Sequence, residues 1–188
     1  CAVAENRTGI AEQLLRWPGL DLNAVDDIQN TALHIAAERG HTRMAGLLLK
    51  HPEVRVNLKN HIGWTPIAKA AFAGHAGVVR RLLERPELEV NFVDQDRQTP
   101  LFHAASTGNL EVVRLLLEDP RTNTAITNRP ARHTALDMAA SLNFTAIARQ
   151  IRQHQKGADE LSPGDPYVER HIEPLPTTIL RPPGRKKY

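Results

Sequence analysis

Nine histidines, 21 carboxylates and one cysteine are what this 188-residue chain has available for chemistry. Acid–base or metal chemistry needs imidazoles and carboxylates that converge, which short spacings such as H-E-x-x-H or C-x-x-C usually announce. Neither spacing occurs here, and neither does a glycine-rich phosphate loop or a G-x-S-x-G elbow. His51, His61, His133, His154 and His171 fall in loops, helix ends or the C-terminal tail, with no second ligand at a metal-binding interval. No catalytic residue, metal or cofactor is expected. Cys1 alone excludes an intramolecular disulfide framework and fits a reducing compartment, so a cytoplasmic or nuclear protein is expected.

Charge and hydropathy narrow the partners. The net charge of +3 is small, and Arg80, Arg81, Arg85 and Lys186 are scattered among acidic neighbours such as Glu84 and Glu87, so no nucleic-acid partner is expected. No apolar run approaches the roughly 18 residues that a membrane span requires. With 41% apolar but only 4% aromatic residues, and leucine and alanine abundant, the composition predicts an all-α protein.

The elements that would position a site are repetitive. Four segments align: TALHIAA at Thr31–Ala37, TPIAKAA at Thr65–Ala71, TPLFHAA at Thr99–Ala105 and TALDMAA at Thr134–Ala140. Their threonines are 34, 34 and 35 residues apart, and a fixed period of this size is the signature of a stacked solenoid. Three residues beyond each Ala-Ala pair stands Gly40, Gly74, Gly108 or Asn143, residue types that tolerate the left-handed backbone between two helices. A second apolar set follows at helical spacing: Met44, Ala45, Leu48, Leu49; Val78, Val79, Leu82, Leu83; Val112, Val113, Leu116, Leu117; Ile147, Ala148, Ile151. Each unit is therefore predicted to be two antiparallel helices opened by a threonine cap, with Pro52, Pro86 and Pro120 closing the second helix.

At these residues the chain resembles the ankyrin-repeat family. The resemblance implies a solenoid of helix-turn-helix units joined by short hairpin loops, about four full repeats (27–60, 61–94, 95–128 and a capping repeat 129–154) after a partial repeat at 1–26. It also implies that His34 bonds to the opening threonine and bridges neighbouring repeats, and that His41 and His75 are structural. Ile10, Ala11, Leu14 and Leu15 match a second helix whose opening threonine would fall before Cys1, so a longer parent array is expected. Arg152 stands where Leu117 stands one repeat earlier, giving the last helix a polar outer surface suited to a cap. Residues 155–188 lose the period and carry six prolines (Pro163, Pro166, Pro174, Pro176, Pro182, Pro183), so a solvated, proline-rich tail is expected there. Pro166-Tyr167 and the basic run Arg181–Lys187 are the tail's only recognition-like strings.

Function follows from the same resemblance: a monomeric, non-catalytic scaffold that binds a protein partner through its concave face and hairpin tips. The positions left free by the repeat are Ile35, Lys69, His103 and Met138 on the first helices, Glu38, Arg39 and Phe72 beside the turns, and His61, Ile62, Trp64, Asp96 and Arg97 at the tips. Trp64, Phe72 and Ile62 stand out because aromatic and apolar side chains anchor interfaces; alternatively Trp64 packs on the neighbouring hairpin and Phe72 on the next helix. A sensing or spacing segment of a larger signalling protein is the other expected role.

Overall fold

The computed structural model describes residues 2–160. Tail expectations for Pro166, Tyr167 and Arg181–Lys187, and those for Cys1 and His171, lie outside the described residues. Among the described residues there are only helices and one isolated bridge, Val25 to Thr31. Helix α1 is Thr8–Leu14; the pairs that follow are α2 (Ala32–Glu38) with α3 (Thr42–Leu48), α4 (Pro66–Ala73) with α5 (Ala76–Leu83), α6 (Pro100–Ser106) with α7 (Leu110–Glu118), and α8 (Ala135–Ser141) with α9 (Thr145–Glu160).

Local chemistry sets the boundaries. Thr31, Thr65, Thr99 and Thr134 adopt extended backbone, and each hydroxyl accepts the amide N–H three residues on. The first helices pack in series, α2 on α4 on α6 on α8, and the second helices form a parallel row, α1 on α3 on α5 on α7 on α9. Between the two layers runs one continuous core. Met44, Val78, Val79, Leu82, Val113, Leu116 and Ile151 are fully buried in it, and alanines at 36, 37, 70, 71, 104 and 105 let the first helices approach closely. Gly40 is needed twice over: its φ is +69°, and a Cβ there would lie 2.5 Å from the His75 ring of the next repeat.

Side-chain brackets at the repeat period join the units. Asn23 accepts the Arg55 N–H (2.8 Å) and donates to the Glu53 carbonyl (2.8 Å). Asn57 does the same to Glu89 and Glu87 (3.0 and 2.7 Å), and Asn91 to Asn123 and Arg121 (2.8 and 2.6 Å). Asn91→Ala removes both bonds at once, and a loss of about 1–2 kcal/mol is expected in a urea titration. Asn91→Asp keeps the acceptor and should cost about half as much.

One expected boundary is corrected. The last helix does not end at 154 but continues to Glu160. Residues 155–160 (QKGADE) contain no proline, so the helix is not broken at 154, and Gly157 is accommodated within it.

Candidate functional site

The hairpin tips are built on a polar residue that recurs every 34 positions: Asp26, Asn60, Asp94 and Asn128. Asp26 Oδ1 accepts the N–H groups of Ile28 and Asn30, Asn60 Oδ1 those of Ile62 and Trp64, and Asp94 Oδ1 those of Asp96 and Gln98. The tips are also tied to one another. His61 N and Nδ1 both reach the Ile28 carbonyl (3.2 and 2.9 Å), Gln95 Nε2 donates to the His61 carbonyl (3.0 Å), and Arg129 N donates to that of Asp96 (2.7 Å). Asp96, Arg97, His61 and Ile62 are thereby presented, exposed, on a fixed row.

An aromatic group joins this row to the first helices. The Trp64 ring lies 4.5 Å from that of His103 and 5.0 Å from that of Phe72, while Phe72 and His103 meet edge-on at 6.0 Å. Under it His103 Nε2 is 3.0 Å from Asp94 Oδ2, both side chains buried (2% and 5% exposed). Burial alone would push the Asp94 carboxyl up, but hydrogen bonds from His103 and the Gln98 N–H outweigh it and hold it below the usual carboxylate range. Covered by Trp64 and tied to the Asp96 and Gln98 N–H groups, this dyad anchors the junction between the third tip and α6.

His34 has the equivalent role at the preceding interface. Its Nδ1 accepts the Thr31 N–H (3.1 Å), which leaves Nε2 as the protonated nitrogen donating to the Trp64 carbonyl (3.0 Å). Burial pushes its pKa down to about 4, against the smaller upward pull of the Trp64 carbonyl. His75 Nε2 is bonded to the Glu38 carbonyl (3.0 Å), and His41 Nε2 lies 3.4 Å from that of Ala4.

The expected contact positions divide. Phe72 (46% exposed), Ile62 (39%), Glu38 and Arg39 are open to solvent, with Arg39 also donating to the Ala4 carbonyl (2.6 Å). Ile35 and Met138 are half-buried, at opposite ends of the stack. Lys69 and His103 are corrections: both are buried, so neither is a free contact position. The neighbouring repeats account for it, since Glu38 takes the Lys69 ammonium at 3.1 Å and Trp64 and Asp94 enclose His103. Trp64 is half-buried and serves as a platform, with Phe72 standing beside it. The tip residues Asp26, Asn60 and Asp94 carry roles that no sequence expectation covers, although their recurrence at the repeat period is a usable signal.

A family model described as ankyrin repeats (three copies) matches residues 1–94 and 86–161. No curated protein matches the chain. No helix among the described residues is long and apolar enough to cross a membrane.

Proposed function

The chain belongs to the ankyrin-repeat family, whose repeats are generally protein-interaction modules, and from that premise we propose that it is a non-catalytic scaffold holding a protein partner on its concave face and hairpin tips. One observation carries the reading. Phe72 stands 46% exposed on a rigid base formed by Trp64, His103 and Asp94, next to a row of tips locked by hydrogen bonds. An exposed aromatic on a preorganised support loses little entropy on binding, which is the physical basis of a hot spot. Ile62 adds apolar area, and Glu38, Arg39, Asp96 and Arg97 form a rim of mixed charge around it. Such a rim favours a partner of mixed charge over one of a single strong sign. We place this scaffold in the cytoplasm or nucleus, as a monomer.

Phe72→Ala combined with Ile62→Ser tests the assignment without disturbing the core, because both side chains are exposed. Immobilised wild-type chain should retain a specific protein from a lysate of the cells that express it. The double variant should retain less than about one tenth as much, with an unchanged thermal melt. Equal recovery on both chains would sink the assignment.

A second reading, a repeat segment working inside a larger signalling protein, is favoured by a different surface. Ile10, Leu14, Trp17, Leu20 and Val25 are all exposed at the α1 end, around a cavity of about 320 Å³ lined by Val3, Leu15, Leu22 and Ile35 among others. Such a contiguous apolar end is the kind of surface that a further repeat or domain covers.

A further inference from the structure

Each hairpin tip is closed by a backbone bond: Asp26 N–H to the Asn30 carbonyl, Asn60 to Trp64, Asp94 to Gln98 and Asn128 to His133 (3.0, 2.9, 3.2 and 2.9 Å). Others join neighbouring tips, from the His61 N–H to the Ile28 carbonyl and from the Arg129 N–H to that of Asp96 (3.2 and 2.7 Å). Every unit thus adds two hydrogen-bonded segments to one row. At about 4.8 Å between bonded segments, the row has a pitch of about 9.6 Å. One tip position recurs at that pitch as Ile28, Ile62, Asp96 and Pro130, all exposed. The row therefore offers two apolar steps, then the charged step of Asp96 and Arg97.

A ligand that presents side chains on one face at this pitch fits the row. A β-strand does not, because its side chains alternate between faces and every third one points the other way. A polyproline II helix does: three residues per turn, about 3.1 Å each, bring every third side chain to the same face about 9.3 Å apart. The chain carries such a sequence itself. Residues 161–188 contain six prolines, a composition that favours this helix, and Pro166, Glu169, Ile172 and Leu175 are spaced by three.

Position and charge agree with the pitch. Helix α9 ends at Glu160, and on its last part Gln155 Nε2 donates to Thr124 Oγ1 (3.2 Å) in the loop that leads to the fourth tip. The six residues to Pro166 can span up to about 20 Å, enough to enter the row at that tip. At one tip per three residues, Glu169 and Arg170 then meet Arg97 and Asp96 on the third tip, Ile172 meets Ile62 on the second and Leu175 meets Ile28 on the first. Apolar faces apolar and each charge faces its opposite. A shift of one residue sets the Glu173 carboxylate on Ile62, so the register is specified.

We infer that the row of hairpin tips is a docking surface for the chain's own proline-rich segment 166–175, laid from the fourth tip to the first. Ile62 also belongs to the partner face proposed above, so a partner bound there competes with the segment. That competition rests on the partner reading, whereas the docking does not.

The test is disulfide trapping in the full chain, purified and dilute, with Cys1→Ser so that each introduced pair supplies the only thiols. Ile62→Cys with Ile172→Cys, and Ile28→Cys with Leu175→Cys, should close within one chain at least about tenfold faster than two controls. The controls are Ile62→Cys with Thr178→Cys, two pitches out of register, and Arg114→Cys with Ile172→Cys, on the outer helix row. In the Ile28–Leu175 pair, Arg97→Glu should slow closure about two- to fivefold, and adding Glu169→Arg should recover it. Ile28, Ile62 and Arg97 are exposed, so the thermal melt should not change. The inference is overturned if the registered pairs close no faster than either control, if they link only between two chains, or if Glu169→Arg does not recover the rate. No partner is present in this experiment, so its failure leaves the partner assignment standing, and failure of that assignment leaves the docking standing.

Discussion

Replacing Arg121 by alanine should lower the stability of the stack by about 3 kcal/mol, the largest effect expected of any single charged residue here. The guanidinium sits just past α7 and reaches back across the repeat boundary. Nη1 donates to the carbonyls of Arg85, Pro86 and Leu88 (3.2, 3.2 and 3.3 Å) and Nη2 to that of Leu83 (3.2 Å). Its remaining donors grip Asp119 at 2.9 and 2.6 Å. The end of α5 and the loop after it thus have their free carbonyls satisfied by one planar fork. That pairing with Arg121 also holds the Asp119 carboxyl below its usual range. Alanine leaves four carbonyls and one half-buried carboxylate to water at once. Lysine keeps the charge but not the fork, so Arg121→Lys should recover less than about half of the loss. Urea titrations of the three chains check this, and a midpoint for Arg121→Ala equal to wild type would refute the bracket.

Acid should weaken the stack well before its carboxylates titrate. His34 is neutral when folded down to a pH of about 4, whereas in the unfolded chain it takes up a proton near its ordinary value of about 6.5. Between the two the unfolded state binds more protons, so stability rises with pH across that window and is lost as pH falls through it. The full loss, from above the window to below it, is about 3 kcal/mol. Geometry supplies the reason: Nδ1 is the acceptor for the Thr31 N–H, so a second proton would face a donor in a fully buried site. Asp94, Asp119 and Asp137 have lowered folded values, so what they contribute is present above the ordinary carboxylate range and is lost only on further acidification. Urea midpoints between pH 6.5 and 4.5 should therefore fall steadily in the wild type, and that share of the fall should vanish in His34→Gln. A wild-type midpoint constant across the window would contradict the assignment of His34 as a buried neutral bridge.

What is legible in the sequence is local. Threonine caps, alanine pairs, left-handed turn positions and the apolar stripe of each second helix are set by neighbours within a few residues, and the structure places them as the period implies. The brackets are not legible in that way. Asn57, Asn91 and Arg121 act on backbone atoms some 30 to 38 positions away, where the side chain alone gives no sign of its target. Lys69 and His103 stand at positions that the family leaves free, which the sequence alone presents as surface. Their burial comes from the adjoining repeat, through Glu38 on one side and Trp64 on the other. The same distance effect turns Trp64 from a contact residue into a support, which moves the weight of the candidate site onto Phe72. Arg149 and Arg152 are legible as a polar cap, and both stand exposed on α9.

The central claim, a protein partner on the face that carries Phe72, is tested most directly by site-specific photo-crosslinking. A photoreactive phenylalanine analogue is introduced singly at Phe72, at Ile62 and, on the outer helix row, at the exposed Arg114. Irradiation in the cells that express the chain should yield the same crosslinked partner band from positions 72 and 62 and none from position 114. Crosslinks from position 114 alone, or no partner band at positions 72 and 62, would contradict the account.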